Sequence, residues 1–525
     1  MKITLLKNGH IYTGDARHPW ATQLALVEEH IVALDAAADA WGAAPGARSE
    51  DLGGATIIPG LTDAHIHLMW YAHGMQALDL RDCTPDALLA QVRERAASTP
   101  PGAWIEGRGW DQNLWPGGAF LTADDLDAVA PEHPVYLVAK SAHAGLCNSA
   151  ALRAAGLAAP TTPDPPHGQL GRRPDGSPNG LLFEDAMALI AAAIPAPPVA
   201  EVAEGLAHAQ QHLLATGITG IHDVDGGPAF AAFQLLHREE RLHVRVLKYL
   251  RLDMLDEMLA LGLRTGHGDD WLRFGGLKLF ADGALGPRTG AMLAPYEGEP
   301  DNYGILTLEP DALREIAERA VAGGLALAIH AIGDRTNRLV LDVLERVRPL
   351  DPTLRHRIEH VQLIAPEDQS RLARADLVAS MQPIHAIHDM DMAERHWGAR
   401  ARHAYAWRSL QDTGAVLAFG SDAPIEIFDP FLGLYAAVTR RREDGAPGPE
   451  GWYSEQRLTL AAALRAYTWG AAYAAGEETQ RGLLAPGYLA DLIVLDRDIF
   501  ALPPEEWRET QVRRAMVGGE WRYTI

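Results

Sequence analysis

Residues 57–67, Ile57-Ile58-Pro59-Gly60-Leu61-Thr62-Asp63-Ala64-His65-Ile66-His67, are the stretch on which the fold turns. The apolar run 57–61 reads as a short buried strand, and a His-x-His pair follows it. Side chains two apart on an extended chain point the same way, so His65 and His67 can reach one ion from one side. A single such pair is weak evidence. It gains weight from four further residues, His330, His360, Asp422 and Lys278, which lie in or just after later members of a series of seven more short apolar runs, at 217–221, 244–250, 276–280, 326–329, 357–359, 377–381 and 415–419. Helical stretches such as 312–322 and 367–375 come after most of them. Strands alternating with helices predict a parallel sheet, and eight such units predict a closed (β/α)₈ TIM barrel, an α/β fold. A doubly wound open sheet is the alternative, disfavoured by the terminal segments and by where the polar residues fall.

Those polar residues gather at one end of the runs. His330 ends the fifth, His360 ends the sixth, Asp422 follows the eighth and Lys278 lies inside the fourth. The C-terminal rim of a barrel is where chemistry sits. Imidazole and carboxylate ligands there point to a catalytic divalent metal, zinc in type, with one or two ions per subunit. Lys278 stands in Gly276-Leu277-Lys278-Leu279-Phe280, in a chain with five lysines and 41 arginines. A buried lysine loses its proton readily, and a free amine reacts with carbon dioxide to give a carbamate that can bridge two metals. Arginine cannot do this. A snorkelling lysine or a structural ion pair is the plainer reading.

The ends of the chain differ from the middle. Asn8-Gly9 between apolar stretches reads as a hairpin turn, and 25–34 as a second hairpin. Residues 491–495 and 514–519 repeat the style. Residues 1–58 and 476–525 are therefore expected to build one small β-sandwich beside a barrel spanning 59–475. About 150 residues separate the first two barrel strands, which makes 70–195 an inserted lid or substrate subdomain. Trp110, Asp111 and His143 are its candidate substrate contacts. Arg288, after the lysine strand, is a candidate for binding a substrate carboxylate or carbonyl. A net charge of −23 disfavours nucleic acid and anionic membranes as partners and leaves a small-molecule substrate. Two cysteines, no signal-peptide-like start and no membrane-length apolar run predict a cytoplasmic protein, and a homodimer is compatible with the sequence.

These motifs resemble the amidohydrolase superfamily, and most of all its subgroup related to N-substituted formamide deformylase. The resemblance is carried by residues 59–67, by Lys278-Leu279-Phe280-Ala281-Asp282-Gly283 and by Ile329-His330-Ala331-Ile332-Gly333-Asp334. Arg357-Ile358-Glu359-His360, Gly420-Ser421-Asp422-Ala423-Pro424, 104–111, 143–149 and 482–491 complete it. It implies a metal-dependent hydrolase that cleaves an amide-like C–N bond. His65 and His67 would hold a first metal, and His330 and His360 a second, with a catalytic part as well, one of the two touching the substrate oxygen. A carboxylated Lys278 would bridge the two ions. Asp422 would carry the proton from water to the leaving nitrogen, with Glu359 and Asp334 orienting the ligands. Esterase or lactonase chemistry, a deaminase and a non-catalytic regulatory relic are the rivals. Lys278 argues against the deaminase, and the complete ligand set argues against the relic.

Overall fold

The computed structural model describes residues 2–140, 143–166 and 168–525, and it divides into two compact units, 1–71 with 202–525, and 72–201. In the first unit eight parallel strands follow one another around a sheet. They are β1 (Leu61–Ile66), β2 (Ile218–Asp223), β3 (Arg245–Arg251), β4 (Leu272–Phe280), β5 (Leu327–Ala331), β6 (Arg357–His360), β7 (Val378–Met381) and β8 (Val416–Phe419). Most are buried along nearly their whole length, as a sheet covered on both faces requires. Past the strand ends, Asp422 N–H donates to His65 O at 2.7 Å and His67 N–H to Ala423 O at 2.9 Å, which brings the β8 end against β1. Gly420 permits this approach, because a Cβ there would stand 2.5 Å from His65 N. The architecture is a nearly closed TIM-type barrel.

The first expected strand is displaced. Thr56–Pro59 pairs with Leu492–Leu495 and His10–Tyr12 in another sheet, and the barrel strand begins only at Leu61. The chain changes sheets at Gly60, where a Cβ would lie 2.2 Å from Thr219 Oγ1. His65 therefore sits within β1 and His67 just past it. The Asn8-Gly9 hairpin is also corrected. Ile3–Lys7 joins a four-stranded sheet and His10–Tyr12 a six-stranded one, so the pair is a corner between sheets. Asn8 adopts φ 55°, which asparagine tolerates, and its side chain donates to Asp51. The second hairpin, Leu24–Val27 with His30–Leu34, forms as read.

Strands from both chain ends share the six-stranded sheet, and Leu6, Ile11, Leu24, Ile57, Leu492 and Met516 belong to one core cluster between the two sheets. Asp491 ties this sandwich to the barrel by accepting two hydrogen bonds from the buried Arg245 guanidinium, at 2.7 and 2.9 Å.

The second unit holds a six-stranded mixed sheet, running from Leu78–Asp79 at one edge to Gly168–Arg172 at the other. Its core includes Leu88, Val92, Trp110, Trp115, Leu126 and Leu137. Among the described residues no helix is long and apolar enough to cross a membrane.

Candidate metal centre

The strand ends of the barrel bring four imidazoles, a carboxylate and an amine into one buried cluster. His65 Nε2 and His67 Nε2 each lie 3.4 Å from Asp422 Oδ1. Two ligands held at about 2.0–2.1 Å from one tetrahedral ion are separated by roughly 3.3 Å, so these spacings match the edges of such a site. Ligand atoms of His65, His360 and Asp422 all lie within 4.8 Å of one another. The His360 ring stands 4.9 Å from that of His65 and 4.6 Å from that of His330. Backbone geometry is unusual here: His360, Val361 and Asp422 have φ of 76°, 45° and 61°. Left-handed backbone at non-glycine residues, and above all at a β-branched valine, persists only where the surroundings enforce it, commonly at functional sites.

Which nitrogen of each ring can bind a cation follows from its partners. His65 Nδ1 faces Glu359 Oε2 at 2.6 Å, His67 Nδ1 faces Asp225 Oδ1 at 3.1 Å, and His360 Nδ1 faces Gln382 Oε1 at 2.8 Å. His330 Nε2 donates to Gly283 O at 2.9 Å. Each ring spends an N–H on a fixed acceptor, the arrangement that orients metal-binding histidines, and the second nitrogen of His67 is turned to Asp422 at 3.4 Å. Burial pushes the His330 pKa down to about 3 and also lowers those of His65 and His360. For His67 burial acts in the same direction, but hydrogen bonds and charge from Asp225 and Asp422 outweigh it and raise the pKa to about 9. Burial would raise the Asp422 carboxyl, yet His65, His67, His360 and His385 hold it well below the usual range.

Lys278 is 1% exposed, and its Nζ has no hydrogen-bond partner among the described residues. Burial is the chief cause lowering its pKa to about 8. An enclosed amine with no acceptor, beside a cluster of ligands, fits a group that is modified or engaged in the working protein.

Of the two residues expected to support the ligands, Glu359 touches one. It holds His65 and also pairs with Arg357 (Nε to Oε1, 2.5 Å), both side chains being fully enclosed. Asp334 lies elsewhere, in the first turn of the helix Asp334–Val347, where it accepts from Leu293 N at 2.7 Å. Asp282 is the carboxylate beside His330, at 3.5 Å.

The expected substrate contacts scatter. Trp110 is 0% exposed, stacks on Trp115 and donates to Leu137 O, so its bulk fills the core of the inserted unit instead of a pocket wall. Asp111 follows it, half-buried. His143 is exposed and paired with Glu184 at 2.9 Å. Arg288 is committed to Glu299 and anchors its loop.

Three supporting groups have no role that the sequence assigns, although Gln382 stands after the seventh strand on the expected face. Asp225, just past β2, buttresses His67 and also accepts from Met69 N and Trp70 N. Gln382, just past β7, orients His360. His385 lies in the first turn of the helix Pro383–Trp397, 8% exposed, with Nε2 at 3.7 Å from Asp422 Oδ2. Its Nδ1 faces the Gln362 side-chain amide at 3.2 Å. Polar residues just beyond strand ends are the available signal for all three.

The model of the amidohydrolase family matches residues 48–523. The chain belongs to this family. Among its relatives, N-substituted formamide deformylase of Arthrobacter pascens is 29% identical over 551 residues, covering 100% of this chain and 98% of that one. Protein LONG AFTER FAR-RED 3 of Arabidopsis thaliana is 33% identical over 513 residues, covering 94% and 86%. The crystal structure of an uncharacterized metal-dependent hydrolase from Pyrococcus horikoshii superposes with a TM-score of 0.83 at 29% identity, covering 96% of this chain and 99% of that one. Membership of this family makes the chain a hydrolase, and the cluster of His65, His360 and Asp422 is a candidate site for a divalent metal.

Proposed function

We propose that the protein hydrolyses an amide-like C–N bond, of the N-substituted amide or formamide type, at a zinc-type centre. The observation that carries this reading is the set of four imidazoles, each with one nitrogen anchored, around Asp422 and a Lys278 whose Nζ has no hydrogen-bond partner among the described residues. The formamide deformylase relative supports the substrate type. His65, His67 and Asp422 would hold one ion. His330 and His360 would hold a second if two are bound, with Lys278, carboxylated, between them. A divalent ion there supplies a Lewis acid and lowers the pKa of water.

The remaining steps belong to side chains. Asp422 accepts a proton from the attacking water at a carboxylate oxygen and delivers it to the leaving nitrogen. His385, whose Nε2 lies 3.7 Å from Asp422 Oδ2, is placed to meet the substrate oxygen. Asp225, Glu359 and Gln382 keep the rings from turning.

The test is metal analysis by mass spectrometry combined with a panel of formamides, longer amides, esters and aminopyrimidines. We expect metal-dependent release of amine from a formamide or amide, and a carbamate carbon signal from ¹³C-bicarbonate that disappears in Lys278→Arg. Full turnover by metal-free protein, or hydrolysis of esters alone, would overturn the reading.

A further inference from the structure

Arg251, the last residue of β3, is a half-buried cation without a counterpart. Among the described residues its guanidinium has neither an ion pair nor a hydrogen bond, and its Nε is enclosed without an acceptor. Several other arginines of the barrel unit are engaged: Arg245 with Asp491, Arg357 with Glu359, Arg288 with Glu299, and Arg400 with the carbonyls of Ala294 and Pro295. The two terminal nitrogens of Arg251, unlike Nε, are not enclosed, so an incoming ligand can supply the acceptor that the described residues do not.

Its position is defined by the sheet. Arg251 is the register partner of Lys278 across β3 and β4, and partners in a parallel ladder project from the same face. The guanidinium carbon lies 6.0 Å from the centre of the Phe280 ring, which in turn stands 4.8 Å from Lys278 Nζ and 5.4 Å from the His330 ring. Phe280 is 40% exposed, and Trp70, 45% exposed, stands 5.8 Å from the His67 ring. The ligand cluster is thus flanked by two accessible aromatic rings, one of them beside the Arg251 guanidinium.

We propose that Arg251 binds a carboxylate of the substrate, so that the favoured amides carry a carboxylate beside an apolar group that packs on Phe280. This rests on the amide-hydrolase reading above. A planar guanidinium offers two parallel N–H donors to a carboxylate, and stacks on aromatic surface without losing them. In a chain of net charge −23, attraction of an anionic substrate needs such a dedicated local cation.

The experiment compares two matched pairs on the metal-loaded enzyme. N-formylphenylalanine is set against N-formylphenethylamine, and N-phenethylsuccinamic acid against N-phenethylbutanamide. In at least one pair kcat/KM should favour the acid about 10- to 100-fold, the range for a hydrogen-bonded charged group. That ratio should fall to near one in Arg251→Met and to an intermediate value in Arg251→Lys, which keeps the charge but loses the fork. Calorimetry should show the same preference in binding. Equal rates within both pairs, or a ratio that survives in Arg251→Met, overturns the proposal. If no compound is hydrolysed, the amide reading fails, and calorimetry alone then decides Arg251: tighter binding of the acids, lost in Arg251→Met, supports it, and its absence refutes it.

Discussion

Glu359→Gln separates what holds the metal site from what holds the barrel. Glu359 Oε2 accepts from His65 Nδ1 at 2.6 Å, and Oε1 lies 2.5 Å from Arg357 Nε, all without solvent. A glutamine amide accepts on one side only, so its NH₂ must confront either the His65 N–H or the Arg357 guanidinium. Losing the partner that fixes a metal-binding histidine typically lowers metal affinity about 10- to 100-fold. Removing one member of a buried ion pair costs about 3–5 kcal/mol, because the other charge is left uncompensated. The first quantity is read by competition with a chromophoric chelator, the second by urea denaturation of the metal-free protein. Adding Arg357→Met should recover part of the stability, since the orphaned charge is gone, and none of the metal affinity. Wild-type metal affinity in Glu359→Gln would show that Glu359 does not set His65. Unchanged stability in that variant would show that Arg357 does not depend on it.

Other outcomes follow from the same geometry. Burial would raise the Asp491 carboxyl, but Arg245 outweighs burial and holds it below its ordinary value. Such a group contributes its full stability above the unfolded pKa of about 3.9 and loses it as pH falls through the lower folded value. Urea midpoints of the wild type should therefore drop below about pH 4, while Asp491→Asn should be weaker at pH 7 and flatter in that range; parallel profiles would refute the assignment. Trp110→Ala should cost about 3–5 kcal/mol, as for a buried tryptophan. It should speed amide exchange across 72–201 without changing metal content, and a variant altered only in KM would restore the substrate-contact reading.

Much of this protein is legible in the sequence. Seven of the eight apolar runs fall on barrel strands, because a strand buried on both faces must be apolar over its length, while the first, 57–61, leaves the sandwich sheet at Gly60 and enters the barrel only at Leu61. His65, His67, His330, His360 and Asp422 stand out because barrel chemistry collects at strand C-termini. What sequence does not supply is distance. Whether Glu359 or Asp334 supports a ligand depends on which side chain meets which ring: Glu359 reaches His65, 294 positions away, while Asp334 turns to Leu293. In the sequence Trp110 suits a substrate as well as a core and Arg288 suits a loop anchor somewhat better than a substrate; packing encloses the first, and Glu299 engages the second as an anchor. Arg251 gives no signal there, because an arginine at a strand end is ordinary; only the closed barrel reveals that its Nε meets no acceptor among the described residues. Period and composition are local properties that the chain carries by itself. Partnership is decided when strands distant in sequence are brought side by side, and that is the work of the tertiary fold.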